Sequence, residues 1–293
     1  MTTFLITGGT GSLGTTLTKK LLEDTENKVV CVSRCEANQD HLVRRMGYST
    51  NLYCRLGDIK DQYRMDEIFE QEHPDVVFHL AAYKMVDRQE EDPYECVKTN
   101  VIGTYNVLKS ASRNRVKTFI LSSTDKAVDP INVYGNTKSL AEKIVLSNVS
   151  EDTRTMVYRW GNVIGSRGSV IPFFIKSLTQ DRVINITSLK MTRFWITLDA
   201  VVSFLIATYT GFGSKVRIPE IKAASTIRVA EIIAKILNIS NYEVKIIGPR
   251  PGEKLHEFLT SKHLGGKSSY RCEQYTDEEL TQLIEPFVKL QVG

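Results

Sequence analysis

No apolar stretch of the sequence approaches the ~18 consecutive residues that suggest a membrane span, so no membrane partner is expected. Cysteine is scarce: Cys31, Cys35, Cys54, Cys96 and Cys272 make an odd set of five with no paired metal-ligand spacing. No metal is expected, and reduced thiols in a cytoplasmic compartment are. The spacing of Cys31 and Cys35 around a strand end reads as accidental. There is no basic run or tail; the charges are scattered and sum to only +4. Nucleic acid is therefore not an expected partner, whereas a small anion gripped by a few placed arginines and lysines fits. Met1 passes straight into Phe4-Leu5-Ile6-Thr7, which leaves no room for an export signal. No internal repeat or low-complexity linker is present.

What is there is an ordinary soluble composition, 42% hydrophobic and 25% charged, on a chain of 293 residues that can bury a large core. Short β-rich runs recur from Phe4 to Thr7, Lys28 to Ser33, Asn51 to Leu56, Asp75 to Leu80 and Lys117 to Ser122. Between them, Leu13, Leu17, Leu21 and Leu22 fall at helical spacing, as do Val97, Val101, Tyr105 and Leu108. Strands alternating with helices predict an α/β fold, a Rossmann-like doubly wound parallel sheet with right-handed crossovers. After about Arg159 the alternation decays into turns at Gly161, Gly165 and Gly168 and a proline at Pro172. We therefore expect a dinucleotide-binding domain over residues 1–160 and a smaller, interleaved α/β substrate-binding lobe over residues 161–293. A helix from Leu198 to Tyr209, within about 195–212, is expected to pack back on the first domain.

Directly after the first strand comes Thr7-Gly8-Gly9-Thr10-Gly11-Ser12-Leu13-Gly14. Gly8, Gly11 and Gly14 permit a tight turn, close approach of the backbone to a pyrophosphate, and close helix packing. The amino end of the helix attracts the negative charge. The second strand ends Val32-Ser33-Arg34, where an NAD enzyme usually places an acidic residue, so Arg34 favours the 2′-phosphate of NADP. Arg44 and Arg45 read as a solvated helix face. Gly57-Asp58-Ile59 is placed for Asp58 to meet the adenine. In His79-Leu80-Ala81-Ala82 the small Ala81 and Ala82 border the cofactor, and His79 reads as a packed histidine.

Tyr134 and Lys138 lie four apart, so one helix presents both on one face. A tyrosine with an ordinary pKa of ~10 is a poor base, but an adjacent ammonium and a nicotinamide cation favour its phenolate. The phenolate takes a hydroxyl proton while hydride leaves the same carbon. Between the fifth strand and this helix, Thr124-Asp125-Lys126 supplies an acid/base pair that a simple epimerase does not need.

The segment from Ser122 to Lys143 resembles the UDP-N-acetylglucosamine 4,6-dehydratases that invert carbon 5, a polysaccharide-biosynthesis branch of the extended short-chain dehydrogenases. The resemblance continues through Lys98-Thr99-Asn100-Val101, Arg159-Trp160-Gly161-Asn162-Val163, Ser166-Arg167-Gly168-Ser169, Met191-Thr192-Arg193-Phe194-Trp195 and Arg250-Pro251-Gly252-Glu253-Lys254-Leu255-His256-Glu257. It implies a tightly bound, recycled NADP, held also by Lys84 and Asn100, and a UDP-sugar substrate. It implies that Lys126 removes the carbon 5 proton and Asp125 protonates the departing carbon 6 hydroxyl, beside Thr124, with roles that can exchange in so close a pair. Arg167, Arg193 and Arg250 are implied on the substrate diphosphate, Glu253 on ribose hydroxyls, and Asn162, Lys84 and Val170 around the sugar nucleotide. A homo-oligomer, at least a dimer, is also implied. Phe194-Trp195 and Phe173-Phe174 read as core.

Two departures stand out. Tyr83-Lys84-Met85-Val86-Asp87 lacks the His-Val-Pro that the resemblance leads one to expect after the lysine, so the sugar end of the pocket is expected to differ. The carboxyl terminus is short beside the family. Two rival readings use the same residues: a nucleotide-sugar 4-epimerase or reductase, for which Tyr134 and Lys138 suffice, and a non-catalytic NADP-binding protein.

Overall fold

The computed structural model describes residues 1–148, 150, 152–211 and 216–292. The apolar, β-branched runs form β1 (Thr2–Thr7), β2 (Asn27–Ser33), β3 (Leu52–Leu56), β4 (Val76–His79), β5 (Thr118–Thr124) and β6 (Arg154–Trp160). Shorter strands follow: β7 (Asn162–Ile164), β8 (Val183–Ile186), β9 (Thr192–Thr197), β10 (Val216–Arg217), β11 (Ala223–Ser225) and β12 (Glu243–Ile246). Seven of them make one sheet in the order β10-β6-β5-β4-β1-β2-β3. All its pairings are parallel. The expected doubly wound sheet is thus present, with strand ends shifted by a residue or two.

Helices α1 (Ser12–Leu21), α2 (Glu36–Arg45), α3 (Gln62–Glu72), α4 (Val86–Glu91), α5 (Pro93–Val97), α6 (Gly103–Arg113) and α7 (Val133–Leu146) belong to the crossovers. Along β1, Phe4 and Ile6 point to one face and Leu5 to the other, the two-residue period of a strand buried on both sides. One face packs on Leu17 and Leu21 of α1; the other packs on Ile68 and Phe69 of α3, Val107 of α6 and Ala141 of α7. Each of the larger side chains among them, fully buried, contributes about 1.5–3 kcal/mol.

The lobe holds α8 (Val170–Gln180), α9 (Leu198–Thr208), α10 (Thr226–Ile236) and α11 (Asp277–Val292). A three-stranded sheet, β11-β9-β7, and a parallel pair, β12-β8, complete it around Ile171, Leu178, Ile184, Val229 and Leu280. Helix α9 leaves this core: Val201, Val202 and Leu205 join Phe4 and Leu17 on the main sheet, and β10 adds its edge strand. Phe212, at the end of the segment expected to pack back, lies outside the described residues.

One expected helical face is corrected. Residues Lys98–Ile102 form a π-helical turn between α5 and α6. The wider turn shifts the register, so Val97 and Tyr105 are exposed while Val101, Val107, Leu108 and Ala111 are buried.

Because β1 is flanked by β2 on one side and β4 on the other, the strand order reverses there, and the crevice beyond the carboxyl ends of these strands is where such sheets bind ligands.

Candidate active site

That crevice is a cleft of about 930 Å3 walled by the sheet on one side and the lobe on the other. Gly8 turns the chain out of β1 with φ +73, and a Cβ there would come within 2.9 Å of the Ala81 nitrogen. Only glycine serves at that position. Gly11 caps α1 without a side-chain bond, so the first-turn N–H groups are left for a ligand, and Thr10, Gly11, Ser12, Leu13 and Gly14 all line the cleft. Uncapped donors at a helix start, reached through a glycine turn, suit a pyrophosphate. The residues present therefore fit a dinucleotide.

Ser33, Arg34, Asp58 and Ile59 line the far end of the same cleft. The Arg34 guanidinium stands 3.7 Å from Asp58 and 5.7 Å from the Tyr83 ring centroid, and it is about half exposed. Arg44 points to solvent and pairs with Asp40; Arg45 is also exposed. Ala81 and Ala82 border the cleft, as does Lys84, whose Nζ donates to the Arg167 carbonyl at 2.7 Å. Burial, then the Arg167 charge, lowers the Lys84 pKa. Asn100 is not in the wall. Fully buried behind it, Asn100 accepts from the Tyr83 N–H at 2.8 Å and donates to the Tyr83 carbonyl at 3.0 Å, so it fixes the loop that carries Ala82 and Lys84.

At the end of β5, Thr124 caps a short 3-10 turn, Asp125–Ala127. Its hydroxyl donates to Asp125 Oδ1 at 2.9 Å and accepts from the Lys126 N–H at 3.3 Å. Lys126 Nζ donates to the same Asp125 oxygen at 3.0 Å and to Asn162 Oδ1 at 3.4 Å. Thr124, Lys126, Tyr134, Lys138 and Asn162 line the cleft, while Asp125 is fully buried just behind. Helix α7 begins at the Asn132 cap, and its first turn brings Tyr134 to the cleft with Lys138 one turn on.

Burial pushes the Tyr134 phenol up to about 12, opposed by the Lys126 ammonium and the Thr124 hydroxyl. Lys126 thus adds an ammonium beside the phenol, in addition to that of Lys138 one helical turn along α7. Burial drives Lys138 down to about 8 against the pull of the Glu142 carboxylate. Glu142 is itself held by Arg159 at 2.5 Å and by the Ser123 hydroxyl.

From the lobe, Arg167 donates its N–H to Ser12 Oγ at 3.0 Å and its guanidinium to the Thr10 carbonyl, so it sits on the phosphate loop. Arg193 is buried, its guanidinium satisfied by the carbonyls of Thr192, Leu255 and Lys254. Arg250 and Glu253 face the cleft, and Glu253 accepts from Thr187 Oγ1 at 2.9 Å. Val170, at the start of α8, lines it too. Phe174, Phe194 and Trp195 are core as expected, but Phe173 is 44% exposed and faces the cleft. The helical period of α8 separates these neighbours, turning Phe174 inward and Phe173 out.

One residue of the constellation was not assigned from the sequence. Glu257, 2% exposed, lines the cleft with Oε1 3.6 Å from Lys126 Nζ. It closes the segment Arg250–Glu257, in which the resemblance implies roles for Arg250 and Glu253.

Residues 4–277 match the polysaccharide biosynthesis protein family. The chain belongs to this family. It is a family of extended short-chain dehydrogenases, in agreement with the resemblance carried by the motifs. An inverting UDP-N-acetylglucosamine 4,6-dehydratase of Campylobacter jejuni (serotype O:23/36, strain 81-176) is 40% identical over 98% of this chain and 83% of its own. A UDP-glucose 4-epimerase of Rickettsia massiliae is 39% identical over 88% of this chain and 77% of its own. Among solved structures, Pen from Bacillus thuringiensis superposes with a TM-score of 0.90 at 31% identity, covering 99% of this chain and 98% of that one. Among the described residues no helix is long and apolar enough to cross a membrane.

Proposed function

We propose that this chain is a hydro-lyase that converts UDP-N-acetylglucosamine to a UDP-4-keto-6-deoxy sugar with inversion at carbon 5, using NADP. The observation that carries this reading is the Asp125–Lys126 pair, 3.0 Å apart, with Lys126 in the wall of the cleft that also holds Tyr134 and Lys138 and Asp125 buried directly behind it. The 40% identity to a dehydratase of that name supports it. Gly8 to Gly14, Ser33, Arg34, Asp58, Ile59, Ala81, Ala82 and Lys84 would hold the dinucleotide, with Asn100 acting through the Tyr83 loop. Asn162, Arg167, Val170, Arg193, Arg250 and Glu253 would hold the UDP-sugar. Residues 1–160 then form the cofactor half and residues 161–293 the sugar-nucleotide half.

The dinucleotide supplies a hydride acceptor at carbon 4 and a hydride donor at carbon 6. Everything else is proton movement by side chains. The Tyr134 phenolate takes the carbon 4 hydroxyl proton, with Lys126 and Thr124 stabilising the anion. The resulting ketone acidifies carbon 5. Lys126 takes that proton, Asp125 protonates the departing hydroxyl, the carbon 6–oxygen bond breaks and water leaves. Two protons leave the sugar, from the carbon 4 hydroxyl and carbon 5, and two return, to the departing oxygen and to carbon 5. The neutral Lys126 and protonated Asp125 needed for elimination differ from the ion pair by one proton shifted across 3.0 Å, with no change in total charge.

The reading is tested with Asp125→Asn. Oxidation at carbon 4, seen as nicotinamide reduction on adding UDP-N-acetylglucosamine, continues, while water loss falls by about 10²-fold or more. Undiminished water loss would rule out the assigned role. The epimerase reading draws on the Rickettsia relative; it requires conversion to the galacto isomer at unchanged mass, and no loss on Asp125→Asn.

We place the enzyme in the cytoplasm, a setting supported by its unpaired set of cysteines. We further propose a homo-oligomer, supported by exposed Tyr94, Tyr105 and Leu140 on the neighbouring helices α5, α6 and α7.

A further inference from the structure

Lys126 is held by more than its sequence neighbour. Its three ammonium protons have three acceptors around them: Asp125 Oδ1 at 3.0 Å, Asn162 Oδ1 at 3.4 Å and, as an ion pair, Glu257 Oε1 at 3.6 Å. Both carboxylates are almost completely buried. Glu257 is in turn fixed from behind. Its backbone N–H donates to Ser269 Oγ at 3.0 Å, and Lys254 Nζ lies 3.5 Å from Oε2 while donating to the Val128 carbonyl at 2.7 Å, just past the Asp125–Ala127 turn. Asp125, Lys126, Glu257 and Lys254 thus form a row of alternating charge, of which Lys126 and Glu257 line the cleft. Glu257 Oε2 has no hydrogen-bond partner. The Lys254 ammonium, 3.5 Å away, is the charge that offsets its burial.

We propose that Glu257 is a positioning residue for Lys126: it aims Nζ into the cleft and stabilises the ammonium that forms when Lys126 takes a proton. It stands to Lys126 as the third member of a catalytic triad stands to its base. This rests on the proposed reaction for its use, since a proton on carbon 5 beside a ketone is only weakly acidic and needs a base strengthened in this way.

The surroundings agree. Burial lowers the Lys126 pKa, yet Asp125 and Glu257 together outweigh it and hold the group above its ordinary value, with Arg193 opposing them. Tyr134 on α7 feels the Lys126 charge, and Lys254 lies behind Glu257. Removing the Glu257 charge without changing its shape therefore makes Lys126 a weaker base.

The test uses Glu257→Gln in the holoenzyme with two readouts. The first needs no sugar: lysine labelled with carbon-13 and nitrogen-15, with Lys126 assigned by its loss in Lys126→Gln, is titrated by NMR. The Lys126 midpoint falls to lower pH in Glu257→Gln and is restored in Glu257→Asp. An unmoved midpoint overturns the proposal. The second readout uses UDP-N-acetylglucosamine in heavy water: elimination slows about 10²-fold, while nicotinamide reduction by carbon 4 keeps its rate and the sugar KM is retained. Equal loss of both half-reactions marks a merely structural residue and also overturns it. If the midpoint moves but the wild-type protein eliminates no water, the proposed reaction fails and the support of Lys126 by Glu257 stands.

Discussion

His79 Nδ1 lies 2.7 Å from Thr7 Oγ1, across the paired strands β4 and β1. The other ring nitrogen, Nε2, is 3.0 Å from Thr104 Oγ1 on α6. Held between two hydroxyls, the ring stitches the switch point of the sheet to the helix beneath it. It is a packing group, as its sequence context indicates.

Burial, with the Lys138 charge second, pushes His79 down to about 3 from an ordinary 6.5. The unfolded chain therefore binds a proton in the window between those values that the folded chain refuses. The stability from neutral His79 is fully present above pH 6.5 and is lost as pH falls toward 3. We expect His79→Gln to narrow the drop in Tm between about pH 7 and about pH 5 relative to the wild type. An identical drop in both proteins would contradict the assignment.

Tyr134→Phe removes the hydroxyl that, on the proposed mechanism, takes the carbon 4 proton, and it leaves the ring. Nicotinamide reduction on adding substrate is expected to fall about 10²- to 10⁴-fold, with UDP-sugar affinity changed little. The half-reaction, followed by stopped flow, separates this from a binding defect, which would raise KM and spare kcat.

Arg34→Ala probes the choice of dinucleotide. If Arg34 carries the 2′-phosphate, its loss weakens NADP about tenfold or more, the scale of a charge-assisted hydrogen bond, and leaves NAD nearly unaffected. Calorimetric titration of stripped protein with each dinucleotide reads the ratio. A parallel loss for both would show that Arg34 serves only its contacts with Asp58 and Tyr83.

The parts of the site legible in the sequence are those whose chemistry is local. Gly8 to Gly14 follow β1 and open α1, and Tyr134 and Lys138 share one helical turn just after β5, so their order after the strands, and not spacing alone, points to them. Asp125 and Lys126 are adjacent in the chain. Glu257 is different: it meets Lys126 because the loop after β12 folds back against the turn after β5, a tertiary fact with no local signal. The π-helical turn at Lys98–Ile102 escaped for the opposite reason, since a single extra residue in a turn leaves the apolar spacing helical while rotating Val97 and Tyr105 into solvent. Asn100, expected at the cofactor, sits on that turn, where it hydrogen-bonds the Tyr83 backbone.

The most direct test of the account is to incubate the purified protein with UDP-N-acetylglucosamine in heavy water and follow the product by mass spectrometry and proton NMR. The account predicts the loss of one water, deuterium at carbon 5, and couplings that report inversion there. Conversion to the galacto isomer at unchanged mass, with no deuterium at carbon 5, would contradict it.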